Sequence, residues 1–228
     1  MALQIVVTVV TVIVTLAAVR ALGWAWWKAT QNHPKVSAMV GYATALATRQ
    51  PPRTTIETAR IAGHEAAHAV VAYAAGFDDI AISMVPSGAS NARCYNRVYM
   101  AGAESQLVAQ IAVCMAGRTW DLQSGYHDAV ACQDDMGQAV NAALGLMSFS
   151  DKWTLNDALD AGAHQARQIV RDNQTAIMLI VGWLSYHNSL SPAELDNLIH
   201  RHLQVCGELV AQRNKARSAL ALSVVEFT

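Results

Sequence analysis

Residues 2–19 form an 18-residue stretch without a charged side chain, interrupted only by Gln4 and a few threonines. As a helix it reaches about 27 Å, close to the thickness of a bilayer's hydrocarbon core. Arg20, Trp24, Trp26, Trp27 and Lys28 follow, and indole and long basic side chains suit a headgroup layer. The pattern predicts an uncleaved transmembrane anchor over 1–28. A removable signal would want a basic leader and a small-residue cleavage site, whereas Leu16-Ala-Ala-Val-Arg20 is a poor one. Positive charge follows the stretch, at Arg20, Lys28, Lys35, Arg49 and Arg53, so the rest of the chain is expected on the cytoplasmic side.

Residues 29–53 contain His33-Pro34 and Pro51-Pro52 and read as a linker with one short helix around 37–48. Beyond it, Thr54 or Thr55 can cap a helix with Glu57 in its first turn. Apolar residues recur at helical spacing at Ile56, Ala59, Ala62, Ala66, Ala69, Val70 and Tyr73, and Gly76 is a natural stop. Two short segments, 80–85 and 97–100, flank Pro86-Ser-Gly88 and read as strands. The remaining pattern predicts helices at about 102–120, 132–148, 151–172, 174–188 and 191–212. The expected fold is mainly α: a helical domain over 54–214 with a small β element, followed by a C-terminal tail over 215–228.

Composition narrows the function. A net charge of −1 with 14% charged residues gives no electrostatic footprint for nucleic acid. Cys94, Cys114, Cys132 and Cys206 are scattered without a CxxC pair and are expected as reduced, unpaired thiols.

The chemistry gathers at His64-Glu65-Ala66-Ala67-His68. On a helix, residues i and i+4 lie about 40° apart in azimuth. Both imidazoles therefore project from one face and can reach one Zn²⁺ at about 2.0–2.1 Å. Glu65, one step along, is angled beside the metal and can take a proton from its water during attack on a peptide carbonyl. With 8 histidines and 6 glutamates in 228 residues, chance supplies this spacing roughly 0.007 times. The alternative, two histidines on a polar helix face, conflicts with the apolar flanks Ile61-Ala-Gly63 and Ala69-Val-Val-Ala72. Imidazoles and a carboxylate in a buried helix are costly unless ligated or hydrogen-bonded. Zinc needs a third protein ligand, and spacing alone leaves His127, Asp128, Asp134 and Asp135 open.

Four segments carry a resemblance to the peptidase domain of the FtsH family of membrane-anchored, ATP-dependent zinc proteases, in the family's order. Ala62-Gly-His-Glu-Ala-Ala-His-Ala69 resembles its HEAGHA motif, with Ala67 in place of glycine. Ile82-Ser-Met-Val-Pro-Ser-Gly88 resembles VTIIPRG, and Ala116-Gly-Arg118 resembles GGRAAEE, with Asp121 where the first paired glutamate falls. Gln133-Asp-Asp-Met-Gly-Gln-Ala139 resembles SNDLEQA, and Met147-Ser148 the GMS that follows. The match runs from about Pro51 to Leu203, and Ala129-Val-Ala-Cys132 departs from the family's threonine-glycine-alanine.

The resemblance implies a zinc endopeptidase with His64, His68 and Asp135 as metal ligands and Glu65 as base, Asp134 being the rival third ligand. It implies that 80–85 is an edge strand along which an extended protein or peptide substrate pairs, the equal alternative being a buried strand that covers the metal helix. The chain has no GxxxxGK[ST] P-loop, so it is expected to act without ATP by itself. It would self-associate into a ring or join a separate AAA ATPase partner. A catalytically silent adaptor of a protease ring is the alternative.

Overall fold

A computed structural model describes residues 53–85, 92–97, 104–126 and 132–225. The anchor and linker expected over 1–53 lie outside these residues apart from Arg53, as do His127 and Asp128. Among the described residues, no helix is long and apolar enough to cross a membrane.

The chain runs α1 (Thr55–Ala74), β1 (Asp78–Ser83), β2 (Arg93–Arg97), α2 (Glu104–Gln123), α3 (Gln133–Phe149) and α4 (Leu155–Asp172), then α5 (Gln174–Leu184), β3 (Ser189–Leu190), α6 (Pro192–Arg201) and α7 (Leu203–Val225). It is mainly helical, with one three-stranded sheet.

The start of α1 is fixed locally. The Thr54 hydroxyl accepts from the Glu57 backbone N–H, and the Glu57 carboxylate accepts from the Thr54 N–H, a reciprocal cap that satisfies two end donors. The other end closes as a Schellman turn: Gly76 sits at φ +81°, and the Phe77 N–H donates back to the Ala72 carbonyl. Between these stops, every residue from Ala62 to Ala74 except His64 is buried. An apolar helix wrapped on all sides is a central element rather than an amphipathic surface one.

Around α1 lie two apolar clusters. One joins α1 to the sheet, α5, α6 and α7 through Tyr73, Phe77, Ile82, Ile177, Ile180 and Leu209. The other lies between α2, α3 and α4 and is built on Ile111, Ala139, Ala143, Leu146 and Ala158. Small residues allow α1 and α2 to approach closely: a Cβ at Gly63 would stand 2.2 Å from the Trp120 ring nitrogen, and one at Gly117 2.3 Å from His64 Nε2. A latch holds the far end, where Arg213 of α7 donates to the Tyr73 and Phe77 carbonyls at 3.3 and 2.8 Å. Its guanidinium also pairs with Asp78 at 2.9 Å and lies over the Tyr73 ring.

The sheet order is β2-β1-β3, antiparallel throughout. This corrects the edge-strand expectation, because β1 is central, with Ile82 opposite both Cys94 and Leu190. The second strand covers Arg93–Arg97; of the strand expected at 97–100 only Arg97 is among the described residues, and it lies in β2. Its sequence, Arg-Cys-Tyr-Asn-Arg, carries little apolar alternation, so its pairing with β1 and not its own pattern defines it. The helix expected over 191–212 is two helices, broken at His202 (φ −118°, ψ 37°), and the second continues through 215, where a tail was expected, to Val225. The helix expected from 174 to 188 ends at Leu184, making room for β3.

Candidate metal centre

α1 presents His64 and His68, α2 lies across them, and the first turn of α3 brings in Asp135. His64 Nε2 is 3.1 Å from His68 Nε2 and 3.1 Å from Asp135 Oδ2, and His68 Nε2 is 3.3 Å from the same oxygen. Donors in a tetrahedral set at about 2.05 Å from a zinc ion stand about 3.3 Å apart. The observed triangle therefore has the edge length of one face of such a tetrahedron.

The opposite edges of both rings are already engaged. His68 Nδ1 lies 2.6 Å from the Val113 carbonyl oxygen, which can only accept, so this nitrogen carries the proton. His64 Nδ1 likewise donates to Asp121 Oδ2 at 2.9 Å. In the neutral rings both Nε2 atoms are then bare acceptors. Two lone pairs and a carboxylate oxygen converge on one point, which a cation satisfies and a neutral side chain does not. The outer partners of the rings are those that fix tautomer and orientation in metal sites.

The electrostatics carry the same sign. Burial lowers the pKa of His64, but the hydrogen bonds to Asp121 and Asp135 outweigh it and bring the group up to about 10. Burial raises Asp135, and the hydrogen bonds from both histidines outweigh it, holding the carboxyl well below its ordinary range. Each shift records a pocket that favours added positive charge.

Glu65 is 8% exposed and makes no member of the triangle. Burial raises its pKa, opposed by His68 and His64 and, more weakly, by a hydrogen bond from the Cys94 backbone. A buried carboxyl with a raised pKa, beside a cation-seeking cluster, can take up a proton and hold it. The cleft it faces has a volume of about 960 Å³ and is bordered by α1, by Ala92 and residues 93–96 of β2, and by the start of α3.

His64, Glu65, His68 and Asp135 are thus brought together. Asp134 is exposed on the other side of the same turn, although it also lines the cleft mouth. Two features were not read from sequence. Asp121 is the partner of His64, and its spacing of four from Gly117 was the available signal, since both then face α1. Three of the four thiols also gather here: Cys94 and Cys114 line the cleft, and Cys132 lies beside His64 and Asp121. Burial pushes the Cys94 thiol well up and the Cys114 thiol to about 12, so neither is an activated nucleophile.

No protein-family model matches the chain, and a search of curated proteins finds no match.

Proposed function

We propose that the chain is a zinc-dependent endopeptidase with His64, His68 and Asp135 as metal ligands and Glu65 as general base, tethered to a membrane through residues 1–28. The observation that carries this reading is the triangle of three acceptors, 3.1–3.3 Å on a side, with both Nδ1 protons directed outward. Two imidazoles and one carboxylate form a borderline-hard set suited to zinc, and three protein ligands are the number that leaves a position for chemistry.

When bound, zinc supplies Lewis acidity: it lowers the pKa of a coordinated water and polarises the scissile carbonyl. The protein's own groups do the rest. Asp121 and the Val113 carbonyl hold the rings in the tautomer that directs Nε2 inward. Glu65 accepts the water's proton as attack begins and delivers it to the departing amine. The substrate is an extended peptide. Among the described residues β2 has a strand on one side only and borders the cleft, so its outer edge is where backbone pairing would align a substrate. The ordered motifs that resemble the FtsH peptidase domain support the same activity.

The test is cleavage of casein or a flexible peptide by the purified full chain and by Glu65→Gln, with zinc measured in each. Glu65→Gln is expected to keep its zinc and lose about 10²- to 10⁴-fold in rate. Equal cleavage by both proteins rejects the peptidase, and stoichiometric zinc without cleavage by either favours the adaptor.

A further inference from the structure

The far side of His64 carries a second set of donors. His64, Asp121 and Cys132 each offer an atom within 4.8 Å of the others, and all three residues are buried or nearly so. Asp121 is 4% exposed, and while its Oδ2 accepts from His64 Nδ1, its Oδ1 is buried without a hydrogen-bond partner among the described residues. Buried carboxylate oxygens are expensive to leave unsatisfied. Cys132 occupies the N-cap position of α3.

From these donors we infer a second cation position, formed by His64 Nδ1, Asp121 and Cys132, which takes a thiophilic divalent ion such as Zn²⁺ or Co²⁺. The thiol sets the class: sulfur ligation selects against Mg²⁺ and Ca²⁺, which prefer oxygen. Tetrahedral sulfur and nitrogen donors stand about 3.5 Å apart, so a modest inward rotation of the Cys132 side chain closes the set. Binding forms one metal–sulfur, one metal–nitrogen and one metal–oxygen bond in place of three bonds to water, and releases two protons to solvent, one from the Cys132 thiol and one from His64 Nδ1. No electron transfer is involved. His64 then bridges two positions through one imidazolate, Nε2 toward His68 and Asp135 and Nδ1 toward Cys132. Its hydrogen bond to Asp121 gives way to shared ligation of the same ion, so the ring and the carboxylate stay joined through the metal.

Cobalt titration of the purified, metal-stripped full chain separates the two positions. A cation held by His64, His68 and Asp135 gives visible d–d bands without sulfur charge transfer, whereas one held by Cys132 adds a near-ultraviolet sulfur-to-cobalt band. The sulfur band is expected only with the second equivalent, to be retained in Cys94→Ser and Cys114→Ser, and to be lost in Cys132→Ser. The second binding event should weaken at least about tenfold in Cys132→Ser and in Asp121→Asn. No sulfur band at two equivalents, or a band that survives Cys132→Ser, overturns the second position and leaves the first untouched. A sulfur band at the first equivalent, with no sulfur-free species before it, upholds the second position and counts against the proposed zinc centre. Should Cys132→Ser not fold, Cys132→Ala decides by the same loss of the sulfur band.

Discussion

Asp121 Oδ2 accepts the Nδ1 proton of His64 at 2.9 Å, joining the last turn of α2 to α1 across a helix interface with no room for a side chain at Gly117. The hydrogen bond decides which nitrogen of His64 is bare, and so where a cation can bind.

Removing that charge should be felt at the metal. Asp121→Asn is expected to weaken zinc binding about 10- to 100-fold, the usual effect of losing an outer partner of a ligand. Competition with a chelator of known affinity measures it, and an unchanged zinc affinity would show that Val113, Gly117 and packing suffice to orient the rings.

A methyl group at Gly117 would meet three atoms of the His64 ring at 2.3–2.5 Å. Gly117→Ala gains up to about 1 kcal/mol in helix propensity and loses about 1–3 kcal/mol to overpacking. The expected result is a lower Tm together with reduced zinc stoichiometry. A higher Tm with full zinc would mean that the interface opens more easily than its spacing suggests.

His68→Ala and Asp135→Ala should each abolish stoichiometric zinc, while Asp134→Ala should not. Elemental analysis after dialysis reads this directly. Retained zinc in Asp135→Ala would return the third ligand to residues outside the triangle.

The pH response should reverse with metal. In chelator, the pKa of His64, about 10 folded against roughly 6.5 unfolded, makes the charged ring a stabilising group. Its contribution is complete below about pH 6.5 and is lost as pH rises toward 10. With zinc bound the rings must be neutral at Nε2, so acid releases the metal instead. Thermal melts across this range, with and without chelator, should show stability falling with rising pH only in the metal-free protein.

Arg213 caps the end of α1 from 140 residues away. Arg213→Ala leaves the Tyr73 and Phe77 carbonyls with a lost donor in a buried setting and is expected to cost about 2–4 kcal/mol. Arg213→Lys should recover only part, having no planar fork to reach both carbonyls and Asp78. Denaturant melts give the values.

The sequence made α1 legible because its signals are local: a reciprocal cap between Thr54 and Glu57, the i,i+4 histidines and a glycine stop. The helical character of the chain and the presence of a small sheet were legible from periodicity for the same reason. Asp135 was one of four open donors by spacing, and only the resemblance ordered them. What could not be read is non-local. β1 is central because a two-residue strand from 189–190 pairs with it, too short to leave a pattern. The break at His202 carries no glycine or proline, so the apolar spacing runs through it. The gathering of Cys94, Cys114 and Cys132 depends on how three separate elements fold together.

The placement of the two histidines on α1 has a consequence for motion. From Ala62 to Ala74 this helix is enclosed by the sheet and by its neighbouring helices, so opening it means opening the whole domain. Its amides should be among the last to exchange with deuterated solvent, and the donors it carries hold their spacing before any ion arrives. In the proposed peptidase, adjustment to different substrates would fall to β2 and the rim of the cleft, leaving the chemical groups on the least yielding part of the domain.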